Sequence, residues 1–241
     1  MPKVLMEVEV PDVKWPPKNL PETDGEPLES PWHFAQIALL IDLVHCWLKG
    51  RDDYFVGGNM FIYYSWSESK KQDYKGPDFF FVKEVERRRH RKYWAIWDEG
   101  GKYPNLIIEL LSPTTAVVDR TIKKTLYERT FRTPEYFWCD PDAQGLTGWR
   151  LKEGSYQLIK TDDRGWMWCE QLGLWIGKWK GTHMGLEATW LRFYQENGQL
   201  VLLEAEAARL QAEIDRKKAE EAQAELARMK ALLAEKGVSP S

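Results

Sequence analysis

Three residues of this chain have the types and spacing to do chemistry together. Asp78 stands at the head of an apolar run, Gly76-Pro77-Asp78-Phe79-Phe80-Phe81-Val82. Glu109 lies 31 positions later, inside a second run, Asn105-Leu106-Ile107-Ile108-Glu109-Leu110-Leu111-Ser112. Lys123 follows in Asp119-Arg120-Thr121-Ile122-Lys123-Lys124. A carboxylate inside Leu-Ile-Ile-Glu-Leu-Leu is costly to bury unless something pairs with it. A divalent metal is one such partner. Phosphodiester hydrolysis needs a water nucleophile and a way to hold negative charge on phosphorus. Mg²⁺ (or Mn²⁺) serves both needs, and Mg²⁺ favours one or two carboxylates with waters and phosphate oxygens. Asp78 and Glu109 supply those carboxylates if their strands are neighbours. The backbone carbonyl of Leu110 adds a neutral oxygen, and Lys123 can orient or deprotonate the water.

The elements that must position these residues are readable. Ser30 as N-cap, Pro31 in the first turn, and Lys49-Gly50 at the end bound a helix. Its expected core face is Phe34, Ile37, Ala38, Ile41, Val44 and Leu48. Glu29 precedes this helix and His33 sits on its first turn. Tyr54 to Val56 and Met60 to Trp66 read as strands around Gly57-Gly58-Asn59. Asp78 to Val82 and Leu106 to Leu111 are near-continuous apolar runs, which suit strands buried on both faces. Thr115 to Arg129 has helical spacing at Val118, Ile122 and Leu126, and Pro134 to Cys139 is another strand. The order helix, four strands, helix, strand predicts an α/β unit with helices flanking a mixed sheet. From Leu146 to Lys178, alternation around Gly-rich turns predicts β-hairpins that extend it.

Several motifs in this order carry a resemblance. Pro77-Asp78, Glu109-Leu110-Leu111-Ser112-Pro113, Asp119-x3-Lys123-x3-Tyr127, Pro134-Glu135-Tyr136-Phe137-Trp138 and Asp140-Pro141 resemble the Uma-two family of bacterial endonucleases, within the PD-(D/E)XK superfamily. The likeness covers roughly residues 22–198 and includes Asp24-Gly25-Glu26. It implies a restriction-endonuclease-like core, a Mg²⁺-dependent endonuclease acting on DNA, and Asp78, Glu109 and Lys123 as catalytic residues. The superfamily pattern would place lysine at position 111, where this chain has Leu111; the Uma-two pattern carries it on the following helix, matching Lys123. Helical geometry agrees. Asp119, Lys123 and Tyr127 fall at i, i+4 and i+8 on one stripe beside Val118, Ile122 and Leu126. Lys124 points about 100° further round.

Each residue also has a plainer reading. Asp78 could cap a turn. Glu109 and Lys123 could form a structural salt bridge with no metal. Glu29 could serve as an accessory carboxylate or only as a charge near a helix N-terminus. Asp119 and Tyr127 are further accessory candidates, and Tyr127 could simply pack. His33 reads as a surface or satisfied histidine. The basic run Lys83 to Lys92 follows the Asp78 strand, so Arg87, Arg88, Arg89, Arg91 and Lys92 could hold a phosphate backbone, with Tyr93, Trp94 and Trp97 as stacking surfaces. The alternative is a solvated loop. For the whole chain, the rival reading is a degenerate nuclease fold that binds nucleic acid or a partner without cutting. RNA or branched DNA is a third possibility.

Composition sets the limits. The 241 residues are 43% hydrophobic, enough for one sizeable core with appendages. A net charge of −3 excludes a globally basic nucleic-acid binder. Cys46, Cys139 and Cys169 form neither a disulfide framework nor a CxxC site. No apolar leader or bilayer-length stretch is present, which predicts a cytoplasmic protein without a membrane span. Residues 1–21 are expected to form an extended arm, 22–198 the nuclease-like domain, and 199–241 a helical tail. In that tail Leu203, Ala207, Leu210 and Ile214, then Leu226, Met229 and Leu233, have coiled-coil spacing. Lys217, Lys218 and Glu221 interrupt it. A homodimer is expected, with a solvated single helix as the alternative.

Overall fold

A computed structural model describes residue 20 and residues 30–65, 76–111, 119–140 and 145–235; for 119, 120, 234 and 235 it describes the backbone only. The calls on Glu29, on Asp24-Gly25-Glu26 and on most of the 1–21 arm lie outside the described residues.

The fold is a mixed α/β arrangement of the expected class. Helix α1 (Pro31–Trp47) starts at Ser30, whose hydroxyl accepts the His33 N–H at 3.1 Å. The chain then runs through β1 (Tyr54–Gly57), β2 (Ile62–Tyr63), β3 (Phe79–Lys83), β4 (Trp94–Ala95) and β5 (Leu106–Leu110). A π-helical turn (Asp119–Lys123) leads into α2 (Lys124–Arg129). Next come β6 (Glu135–Cys139), β7 (Leu146–Lys152), β8 (Ser155–Leu158), β9 (Met167–Cys169), β10 (Leu174–His183), β11 (Leu186–Tyr194) and α3 (Glu204–Glu235).

The central sheet has six strands in the order β1-β3-β5-β6-β7-β8. Only β5 and β6 pair in parallel; the crossover between them passes through α2. The continuous apolar runs behave as expected: every residue of β5 is buried, and so are Phe79 to Val82 of β3. One face of the sheet packs against α1 and the β9–β11 sheet, through Phe79, Phe81, Leu106, Ile108 and Phe137. The other face carries Phe80, Ile107, Tyr136 and Trp149, with Tyr127 of α2 packed against them.

Three local expectations need correction. Of the span Met60 to Trp66, residues 60–65 are described, and none of them pairs with β1. Among them Ile62–Tyr63 is a strand, and it joins β4 in a separate parallel pair. On α1, Phe34 is 53% exposed, and the buried side includes Gln36, Leu39, Leu40 and Leu43. This helix is apolar nearly all round, so spacing alone cannot choose its face. The choice is made by β11, where the Gln36 amide donates to Leu191 O at 3.0 Å and accepts from Leu191 N at 2.7 Å. On the second helical segment Ile122 is 59% exposed instead of buried. The wider π-helical turn resets the helical phase and brings Lys123 and Tyr127 to the sheet. The hairpins also run further than read from the sequence, because β10 and β11 pair over the whole stretch from Trp175 to Tyr194.

Helix α3 is docked only at its base. Fully buried Arg192 of β11 meets Glu206 at 2.7 Å, and Glu206 also accepts the Leu203 N–H at 2.8 Å. That second bond is one half of a capping box. Beyond it the side chains are exposed. No described helix is long and apolar enough to cross a membrane.

Candidate active site

Strand register brings the two carboxylates together. Phe79 lies opposite Ile108 in the antiparallel β3–β5 pair, so Asp78 falls opposite Glu109 at the end of the ladder. The Asp78 N–H approaches Glu109 Oε2 at 3.5 Å, and Asp78 Oδ2 accepts the Leu110 N–H at 2.7 Å. The turn after β1 secures the same spot: Asn59 N–H donates to Asp78 O at 3.2 Å. Gly58 is required there, because a Cβ would collide with Ile37 of α1.

Glu109 is fully buried. Its Oε2 receives Lys123 Nζ at 3.1 Å and its Oε1 receives the Tyr127 hydroxyl at 2.7 Å. Both donors come from the helical segment that crosses between β5 and β6, one turn apart. The stripe read from the sequence therefore does face the acid. Asp119 starts the π-helical turn, and its side chain lies outside the described residues.

Asp78 is the more open of the two, with 15% of its side chain exposed. Its Oδ1 meets His33 Nε2 at 2.8 Å. Burial pushes the Asp78 carboxyl up, but the His33 hydrogen bond, the charges of His33 and Lys123, and the Leu110 N–H more than offset it. The net direction is down, so the group is held as a carboxylate. His33 thus belongs to the site, which the sequence reading did not give it. The signal available was its place on the first turn of α1, at a sheet end that the sequence alone does not locate.

The arrangement is a chain of polar contacts, His33–Asp78–Glu109–Lys123/Tyr127, set at one end of a hydrophobic sheet. Chemically it offers two carboxylates and an ammonium within reach of one another. Among the described residues no group of three or more His, Cys, Asp or Glu side chains could hold a metal ion.

The basic run lies elsewhere. Asp78 precedes β3 and the run follows it, so the two stand at opposite ends of a five-residue strand, about 16 Å apart at the usual rise per residue. Arg91 is folded into the protein, with a two-bond contact to Glu99 at 2.9 and 3.0 Å and its guanidinium 4.7 Å from the Phe55 ring. Arg87 donates to Arg51 O at 3.3 Å, Arg88 pairs with Asp52 at 3.3 Å and Arg89 with Glu99 at 3.6 Å. Lys92 is exposed and Trp94 is fully buried. These contacts tie Arg91 into its own loop, while Arg88 and Lys92 stay exposed, and the run stands at the far end of β3 from the carboxylates.

Trp138 does lie beside Glu109, and Lys124, the lysine that the sequence reading set second to Lys123, reaches further along the sheet. Glu109 pairs in register with Trp138 of β6, and Trp138 with Thr147 of β7. Trp138 sits edge-on to Trp149 at 4.2 Å between ring centres, and Lys124 Nζ lies 4.4 Å from the Trp149 ring.

No curated protein matches the chain. One solved structure that resembles it is described as a "putative nuclease belonging to DUF820" from Anabaena variabilis ATCC 29413. It is 15% identical, with 63% of this chain and 81% of that chain covered and a TM-score of 0.45. The profile of the Uma2 family, described as "putative restriction endonuclease", matches residues 16–178. That span is more than half of the chain and takes in Asp78, Glu109, Lys123 and Tyr127, so the chain belongs to the Uma2 family of restriction-endonuclease-like proteins.

Proposed function

We propose that this protein is a Mg²⁺-dependent endonuclease that hydrolyses phosphodiester bonds of DNA at the Asp78–Glu109–Lys123 site. The observation that carries this reading is the convergence of two carboxylates from neighbouring strands, with Lys123 Nζ 3.1 Å from the deeper one. The donor chemistry suits a hard cation. Asp78 and Glu109 are oxygen donors, and the Leu110 N–H points at Asp78. A strand residue's N–H and C=O point to the same side, which would turn the Leu110 carbonyl toward that carboxylate too. Two carboxylates and a carbonyl, completed by water and phosphate oxygens, match what Mg²⁺ prefers. These three groups would hold the ion, which when bound supplies Lewis-acid charge and a more acidic water.

The protein's own groups do the positioning. His33 holds one oxygen of Asp78, and the Leu110 N–H holds the other. Tyr127 donates to Glu109 Oε1 and fixes that carboxylate's rotation. Lys123 reaches the site from the helical side, where its ammonium can orient the attacking water and oppose charge developing on the phosphate. The phosphate must compete with Glu109 for that ammonium, which lets Lys123 respond to substrate.

Plasmid cleavage in Mg²⁺ or Mn²⁺ tests this. The wild type should nick or linearise DNA, and Asp78→Asn, Glu109→Gln and Lys123→Met should each lose about 100-fold or more in rate. Equal rates in all three variants and the wild type would remove the assignment. The rival reading, a binding module without cleavage, predicts DNA retention with no strand scission by any form.

The functional unit in this reading is a homodimer, joined along the exposed stripe of α3. Leu210, Ile214, Leu226, Met229 and Leu233 are 38–53% exposed there, and a second copy of the same helix offers a matching stripe. Light scattering should report a dimer for the wild type and a monomer for the full chain carrying Ile214→Glu and Leu226→Glu. A monomeric wild type would remove this part.

A further inference from the structure

The strand registers align four side chains in one row across the sheet. Asp78 faces Glu109, Glu109 faces Trp138, and Trp138 faces Thr147, all on the side covered by α2. Neighbouring strands stand about 4.8 Å apart, so the Trp138 ring begins one strand beyond the buried acid. The row beneath it is closed: Phe80, Ile107 and Tyr136 are fully buried. Trp138 is only partly buried. Its ring is braced edge-on by Tyr136 at 6.1 Å and Trp149 at 4.2 Å. Lys124, next to Lys123, sits over Trp149 at 4.4 Å.

We propose that Trp138, braced by Trp149 and flanked by Lys124, is a subsite for an unpaired nucleobase next to the phosphate under attack. The inference rests on the phosphodiester reading above and adds a substrate class to it: single-stranded or locally unpaired nucleic acid. The reason is geometric. A phosphate at Asp78 and Glu109 leaves its attached nucleotide within one or two strand spacings, which is where Trp138 lies. In a duplex each base face is covered by the next base, so an aromatic ring can take a base face only when the nucleotide is out of the stack. The two lysines complete the match, since one at Glu109 and one over Trp149 bring positive charge to a negatively charged backbone.

The test is binding in EDTA by fluorescence anisotropy, with a labelled 20-nucleotide single strand and the corresponding duplex. The wild type should prefer the single strand. Trp138→Ala and Trp138→Leu should weaken single-strand binding about tenfold and leave duplex binding within about twofold, while Trp138→Phe keeps most of the affinity because it keeps a stacking face. The Leu variant preserves apolar bulk, so it carries the test if the Ala variant melts at a lower temperature. Unchanged single-strand affinity in both variants overturns the subsite and leaves the phosphodiester reading standing. Equal losses on single strand and duplex also overturn it, because they report a general disturbance of the sheet. A wild type that binds neither nucleic acid in EDTA overturns the subsite and leaves the phosphodiester reading to the plasmid assay above.

Discussion

Glu109 and Glu135 are both fully buried, lie on adjacent parallel strands, and each meets a basic side chain. They differ in what holds them. Glu135 sits at the start of β6, on the face packed against the β9–β11 sheet. Its Oε1 accepts from Arg150 at 2.8 and 3.0 Å and from Glu170 N at 3.0 Å; its Oε2 accepts from Gln171 N at 2.9 Å and Cys169 Sγ at 3.1 Å. Backbone donors and a rigid guanidinium tie it to the β9–β10 turn, and burial and this carboxylate push the Cys169 thiol well up. Glu109 sits at the other end of the strands. It is held by a lysine and a tyrosine on one helical segment, beside a second carboxylate. A guanidinium fork with backbone N–H groups makes a static joint. An ammonium on a flexible stem, placed beside two carboxylates, makes a group that can change partners. In the proposed function the same residue type thus serves as structure at one end of the sheet and as chemistry at the other.

The sharpest way to break this contrast is one isosteric change made at both positions. Glu135→Gln turns an amide NH₂ toward donors that need an acceptor. Leaving charge-assisted bonds unmade costs about 3 kcal/mol or more, so Tm should fall by roughly 10 °C in a calorimetric scan. Glu109→Gln should keep Tm within a few degrees, because its amide oxygen still serves Tyr127 or Lys123 and its NH₂ can turn toward Asp78. The same variant should lose about 100-fold or more in cleavage. Matching Tm losses would make Glu109 a structural ion pair like Glu135. Next in size is Tyr127→Phe, which frees Glu109 Oε1 without touching Lys123. We expect about tenfold slower cleavage, with metal dependence shifted to higher concentration.

The smallest expected effect concerns the docking of α3. Burial raises the Glu206 carboxyl, but the Arg192 hydrogen bond, the Leu203 N–H and the Arg192 charge outweigh it, so its folded pKa is lowered. A carboxylate with a depressed folded pKa stabilises fully above its ordinary value, near 4.5, and loses that contribution as pH falls through the lower folded value. Protection of the amides at residues 203–208, measured against their intrinsic exchange rates at each pH, should therefore fall on acidification below that range in the wild type. In Glu206→Gln it should already be lower at neutral pH and change little with acid. A wild type with no acid dependence there would mean that the Arg192 pair does not hold the helix.

Asp78 and Glu109 were legible because charge inside an apolar strand is conspicuous, and two strands of that kind in one compact domain have few ways to pair. Lys123 and Tyr127 were legible through their spacing of four. The phase of their helix was not, because a π-helical turn has no plain sequence signature; it exposed Ile122 and turned the polar stripe inward. The basic run misled because proximity in sequence to Asp78 becomes the full length of β3 in space. Trp138 was not assigned to the site because only the pairing of β6 with β5 sets it beside Glu109, and His33 was not because only the packing of α1 sets it beside Asp78. The buried face of α1 was lost for a related reason, since an all-round apolar helix takes its orientation from its neighbours.

The central claim is that Glu109 belongs to a metal-binding catalytic site and Glu135 to the framework. Titration of Mn²⁺ into the full-length protein by isothermal calorimetry, at a temperature where all forms are folded, tests it most directly. The account predicts saturable binding by the wild type and by Glu135→Gln, with the heat lost in Glu109→Gln. The same binding isotherm in Glu109→Gln as in the wild type would contradict it.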